Sequence, residues 1–273
     1  MHRRGTRARL STVSLLLLAP LPMFLLQAAA AESYRRHMRS IVDLVTDLSS
    51  RPHPCLTWYG REGERVDLSG KTGANWIIKA ANLLSMELAC EPGFKVWLDL
   101  PAHWRSLVWA HAAWCLGAEV TLVGEDADIA ITATPNDAHA QLETVVIALP
   151  ALARRVEDLP ADAVDGAADL MTQADDFMFP PEGSPEDETG FGLTQQALLA
   201  ALPELRHSSS AAVAQAGDSA GLAGRRVLLA GATLPVLLSQ VSPVWAAGAS
   251  VVIAGDDSVA EAEGVTHVAG TGT

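Results

Sequence analysis

The segment Gly217-Asp218-Ser219-Ala220-Gly221 has the G-x-S-x-G spacing of a nucleophile elbow, and Asp256 or Asp257 and then His267 follow it in the order Ser, Asp, His. In such a set the imidazole takes the serine proton, the alkoxide attacks an ester carbonyl, and the carboxylate orients the ring. An elbow needs a strand before it and a helix after it. Here SSSAAVAQA precedes it without strand character, RRVLL follows as a strand, and no HGGG-like oxyanion segment lies upstream. The composition is that of a Gly- and Ser-rich surface turn, so an esterase built on Ser219, Asp256 and His267 stands only as an alternative.

Other chemistry-bearing residues reduce to structure in the same way. Gly70-Lys71-Thr72 has the ending of a phosphate-binding P-loop, but Arg65 occupies the position of its first glycine and the preceding strand belongs to a hairpin. The triplet reads as a helix start. Eight His residues are scattered with no i,i+4 pair and no H-E-x-x-H, so no metal site is expected. His111 lies among Trp109, Trp114 and Cys115 and reads as a core histidine. Trp97, Trp104, Trp109 and Trp114 fall within one strand–helix unit and predict a Trp-rich core, with an apolar surface for a partner or acyl chain as the alternative. Cys55, Cys90 and Cys115 form no C-x-x-C pair and are expected to be buried, reduced thiols.

The elements that must position these residues alternate from Met38 onward. Ser40 and Asp43 form a capping box ahead of Ile41, Leu44, Val45 and Leu48 on one helical face. CLTWYG and RVDLS read as a hairpin, and a helix from about Gly70 to Ala89 follows, stopped by Glu91-Pro92-Gly93. FKVWLDL is a strand and the Trp104–Cys115 stretch a helix ended by Gly117. AEVTLVG, DIAITAT and TVVIALP are short apolar strands. Beyond an acid-rich loop at 180–189 come a helix from about Thr194 to Leu205, a Ser/Ala-rich connection, the strand RRVLLAG, a helix near Leu234 to Ala247 and the strand SVVIAG. Apolar strands without strict alternation, interleaved with helices, predict an α/β fold with a mainly parallel sheet flanked by helices.

The 273 residues are 49% hydrophobic, ample for a core, and carry 19 basic against 32 acidic side chains for a net charge of −13. Residues 1–37 hold six Arg and one Glu, which leaves 13 basic and 31 acidic residues for 38–273. So acidic a body repels a nucleic-acid backbone, and no nucleic-acid partner is expected. Residues 1–37 combine an Arg-rich start, an apolar run from Leu10 to Leu26 and the small residues Ala28 to Ala31. They read either as a signal-peptide-like leader or as in-frame sequence upstream of a start at Met38. A start at Met38 implies a cytoplasmic protein. A genuine leader implies export or anchoring through residues 1–31.

The stretch from Cys55 to Gly124 resembles the opening of the AMP-binding, acyl-adenylate-forming enzymes, the acyl-CoA synthetases and their relatives. It shares their order of hairpin, helix, Glu91-Pro92-Gly93 turn, the strand Val96–Leu100 ending at Pro101, and a helix closed by Gly117-Ala118. LTQQALLAAL is similar to the helix after the family's phosphate loop, and PVWAAGASVVIAG to a later Gly-Ala-strand segment. The resemblance implies the fold of the family's N-terminal subdomains over residues 38–273, without its C-terminal domain.

The family's phosphate loop ends in Thr-Gly-x-Pro-Lys-Gly and neutralises the phosphates of ATP. Its counterpart here is FMFPPEGSPEDETGFGLT. The resemblance puts Thr189 at the lysine position and leaves Ser184, Thr189, Gly190 and Thr194 as a relic phosphate loop, with Glu182, Glu186, Asp187 and Glu188 where phosphate would lie. Like charges about 4 Å apart repel by about 1 kcal/mol in water and about 4 at an effective dielectric near 20. The expectation is a truncated, catalytically degenerate adenylate-forming-enzyme-like protein that serves as a binding or structural module, with no cofactor and with a protein partner open. The alternative is a residual nucleotide- or acyl-binding enzyme using ATP or AMP and Mg²⁺.

Overall fold

A computed structural model describes residues 38–60, 63–207 and 222–269. Helix α1 (Ile41–Ser49) starts at the capping box: the Ser40 hydroxyl accepts from the Asp43 N–H at 3.2 Å, and the Asp43 carboxylate accepts from the Ser40 N–H at 2.9 Å. Strands β1 (Pro54–Tyr59) and β2 (Arg65–Ser69) form the antiparallel hairpin. Helix α2 (Gly70–Leu88) begins at once, capped by the Ser69 hydroxyl on the Thr72 N–H. A Cβ at Gly70 would lie 2.6 Å from the Leu48 carbonyl oxygen, so a close approach of α1 to α2 explains that glycine.

The chain continues through β3 (Lys95–Asp99), α3 (Trp104–Cys115), β4 (Glu119–Thr121), β5 (Ile129–Thr132), β6 (Glu143–Val146) and β7 (Val164–Asp165). Then come α4 (Ala168–Thr172), α5 (Gln195–Ala200), β8 (Leu205–His207), β9 (Arg226–Ala230), α6 (Leu234–Ala246), β10 (Ser250–Ala254) and β11 (His267–Ala269). The helix expected from Thr194 to Leu205 stops at Ala200, because Pro203 drives the residue before it out of helical geometry. The connection that holds Ser219 lies outside the described residues, as does the leader.

The mainly parallel strands are divided between two sheets. One has the order β2-β1-β10-β9-β11-β8, parallel in its middle four strands and antiparallel at both edges; the other, β4-β3-β5-β6-β7, is parallel throughout. Helix α2 packs on β1 and β2, α6 on β10, and α3 on β3 and β4, while α1 and α3 contact each other and both contact α2 and α6. These helices therefore form a shared layer between the sheets. Every residue of α3 is buried, which explains its weak amphipathicity: it has no solvent face.

Trp104, Trp109 and Trp114 sit in this layer, each at most 2% exposed. His111 is in the core too, with Nδ1 2.7 Å from the Leu107 carbonyl and Nε2 2.9 Å from the Ser242 hydroxyl. Burial pushes its pKa down to about 4, so the ring is neutral at physiological pH. All three cysteines are free and buried, and burial raises the Cys55 and Cys90 thiols to about 12. Among the described residues no helix is long and apolar enough to cross a membrane.

Candidate functional site

A crevice of about 980 Å³ opens where the two sheets present the carboxyl ends of their strands. The first sheet contributes Trp58, Tyr59 and Gly60 from the end of β1, Gly231 and Ala232 after β9, and Ile253, Ala254 and Gly255 at the end of β10. From the second come Pro101, Ala102 and His103 after β3, and Leu149 and Pro150 after β6. Glu64 reaches it from the start of β2. Open α/β sheets hold ligands in this place, because strand ends and the loops beyond them converge there.

His103 caps α3: its Nδ1 accepts from the Arg105 N–H at 3.1 Å, which leaves the ring proton on Nε2. Burial, with a smaller contribution from the Arg105 charge, lowers its pKa to about 4. The ring is thus a neutral donor. It meets the Trp58 ring edge-on at 4.3 Å between centroids, and the Trp58 ring leaves no room for a side chain at Gly60.

The strap from Leu149 to Ala151 closes one side of the crevice. Glu64 Oε1 accepts from the Ala151 N–H at 2.8 Å, tying the strap to the β1–β2 hairpin. Arg105 donates to the Pro150 and Ala151 carbonyls at 3.3 Å, its guanidinium 5.2 Å from the Trp76 ring and 4.5 Å from that of Trp104. Burial brings the Arg105 pKa down to about 10, against the opposing pull of Glu64. The guanidinium stays charged. It is consumed in holding the strap.

The loop expected to be a relic phosphate loop, residues 184–194, packs elsewhere. The Ser184 N–H and hydroxyl both bond the Asp187 carboxylate, at 2.6 and 2.7 Å. Thr189 is fully buried; its hydroxyl donates to the Leu193 carbonyl at 2.8 Å, and its own carbonyl accepts from the Trp114 indole at 3.0 Å and the Val120 N–H at 3.2 Å. Gly190, at φ +89°, packs on the Val120 backbone, and Thr194 caps α5. Gln195 joins the loop to the core, accepting from the Ile41 N–H at 2.8 Å and donating to the Trp114 carbonyl at 2.7 Å. All these contacts are at the end of α3 remote from His103. Twelve helical residues at 1.5 Å each place them about 18 Å from the crevice.

The hydrolase set is not assembled either. Ser219 lies outside the described residues. Asp256 is exposed just past the carboxyl end of β10, where it accepts from the Ser258 N–H at 2.9 Å. His267 opens β11, level with Val227 of β9 and hence with Val251 of β10, five residues before Asp256. At about 3.3 Å per residue the two are roughly 16 Å apart along the strands, too far for a carboxylate to orient the ring. Among the described residues no three His, Cys, Asp or Glu side chains group as metal ligands. The crevice residues Trp58, Glu64 and His103, and Arg105 behind the strap, escaped the sequence reading; the signal for His103 and Arg105 was PAHWR, a polar pair directly after an apolar strand.

No family model matches the chain. A "TIGR03089 family protein" of Mycobacterium tuberculosis is 34% identical over 142 residues, 48% of this chain and 58% of that protein. An acyl-CoA synthetase of Brucella canis superposes with a TM-score of 0.60 at 13% identity, over 84% of this chain and 46% of that one. An artificially fused adenylation–PCP di-domain, NpsA-ThdA, from Klebsiella oxytoca gives 0.56 at 12% identity, over 83% and 42%. The chain therefore spans about half the length of the proteins it matches. Its two sheets and shared helical layer are the fold of the acyl-adenylate-forming enzymes, as the resemblance to their N-terminal subdomains implied.

Proposed function

We propose that this chain is a non-adenylating binding module on the adenylate-forming fold, with the crevice at the strand ends as its ligand site. The observation that carries the reading is the fate of the phosphate-loop counterpart. Its hydroxyls and carbonyls are used internally, Thr189 stands at the lysine position with carboxylates around it, and it packs about 18 Å from the crevice, at the far end of α3. ATP held at one end would not meet an acid held at the other. The residues present do not fit a triphosphate with its Mg²⁺.

ATP–pyrophosphate exchange with a panel of carboxylic acids tests the reading, beside calorimetric titration with ATP and AMP in the presence of Mg²⁺. The expected result is exchange at the level of the protein-free blank and no nucleotide binding at micromolar concentration. Chain-dependent exchange, or Mg²⁺-dependent micromolar ATP binding, would overturn it in favour of a residual nucleotide-binding enzyme.

A further inference from the structure

We propose that the crevice selects a small amine, its ammonium group against the Glu64 carboxylate and its apolar body between Trp58, Leu149 and Ile253. The proposal rests on reading the crevice as the ligand site of a binding module, and it names the ligand class.

Glu64 is the one charged side chain lining the crevice among the described residues. Its Oε1 is engaged by the Ala151 N–H, whereas no described group donates to Oε2, which is left as an acceptor. Tyr59 does not compete, because its hydroxyl is turned to Glu263 and Arg65. His103 carries no charge to pair with Glu64; it offers one N–H. The nearest buried cation, Arg105, is held behind the strap by two carbonyls and two indole rings and does not line the space. Beyond the rim, Asp256 and Asp257 follow Gly255 and are exposed, so the approach to the crevice is also negative. A carboxylate or phosphate ester would meet this field with no cation among the described lining residues. An ammonium group would meet one carboxylate oxygen in a space walled largely by apolar side chains.

Three probes of nearly equal shape separate the charge from the apolar body: phenethylamine, phenylacetamide and phenylacetate, titrated calorimetrically into the full chain. The amine is expected to bind at least tenfold more tightly than phenylacetate, with the amide between them. Glu64→Gln keeps an oxygen for the Ala151 N–H, so the strap stays in place; it is expected to shrink the amine-to-acid ratio below threefold. Gly255→Leu, at a position where a Cβ meets nothing within 4 Å, fills the crevice and is expected to abolish binding of all three. Phenylacetate binding as tightly as the amine, an unchanged ratio in Glu64→Gln, binding that survives Gly255→Leu, or no saturable binding of any probe at millimolar concentration would each overturn the proposal. Pyrophosphate exchange is scored independently, so adenylation can be detected whatever the charge preference of the crevice.

Discussion

Replacing Gly190 by alanine tests whether the 184–194 loop is a packed latch or an open cradle, since a cradle for phosphate must leave its backbone accessible. The residue has φ +89°, and a Cβ built there would overlap the Val120 carbonyl oxygen and lie 2.8 Å from the carbonyl carbon. Left-handed geometry alone costs a side chain about 1–2 kcal/mol. Relieving the overlap means moving the loop off β4, which breaks the Val120 N–H and Trp114 indole bonds to the Thr189 carbonyl, at about 1 kcal/mol each. The sum is about 3–4 kcal/mol. Gly192→Ala is the internal control: φ is +70° and a Cβ meets nothing within 4 Å, so only the conformational cost of about 1–2 kcal/mol applies. The entropy that alanine removes from the unfolded chain is common to both variants and cancels in the comparison. Urea unfolding should give a midpoint for Gly190→Ala well below that for Gly192→Ala, with a stability difference of about 2 kcal/mol at unchanged slope. Equal midpoints would refute the latch and restore an open loop at 184–194.

Acid should weaken the fold through its buried histidines. The pKa values of His103 and His111 are lowered to about 4 in the folded chain, against about 6.5 when unfolded. Their contribution is complete above pH 6.5 and is lost as pH falls toward 4, because only the unfolded chain takes up those protons. Stability should fall by about 1–3 kcal/mol between pH 6.5 and 5, and His111→Gln should flatten that limb; a flat profile in the parent chain would contradict the burial. A second acid response lies at Glu263, whose burial favours the neutral form but whose bonds from Tyr59, Arg65 and Arg226 outweigh it and hold the pKa below the ordinary value. Its contribution is present above the unfolded carboxylate range and is lost as pH falls through the lowered folded pKa, so the stability lost in Glu263→Gln should be larger at pH 7 than in acid. Ser242→Ala leaves His111 Nε2 without its partner in the core and should cost about 1–3 kcal/mol in urea unfolding. Cys55, Cys90 and Cys115 should react with a thiol reagent only on unfolding, and labelling of the native chain within minutes would show that one of them is reachable.

Local signals placed most of the elements. The Ser40–Asp43 box, the Ser69 cap, the Pro92-Gly93 turn and the apolar runs of β3, β5 and β10 are decided by neighbours within a few residues, so the sequence carries them. Strands β7, β8 and β11 have two or three residues each and owe their form to the partner strand. No periodicity can accumulate over such lengths. The division into two sheets was hidden for a related reason: alternation of strand and helix reports parallel pairing, but not which strands share a sheet. Here the β1–β2 hairpin leaves the next five strands, and β1 pairs with β10, nearly 200 positions further along the chain.

The crevice was illegible because it belongs to no segment. Trp58, Glu64, His103, Leu149 and Ile253 come from five stretches of chain and converge only because both sheets lean on one helical layer with their strand ends on the same side. The direction of α3 then fixes what lies near what. It leaves β3 at the crevice, where His103 caps it, and runs back to the start of β4, where Trp114 receives Thr189. Any loop bonded to its last turn is held away from its first by the length of the helix. The carboxylates of the acidic loop stand in the sequence itself; its distance from the crevice required the path of α3. On the proposed reading, charge and position oppose adenylation independently. Restoring a lysine at Thr189 would therefore bring no adenylation, since the new ammonium group would still stand at the end of α3 remote from the crevice.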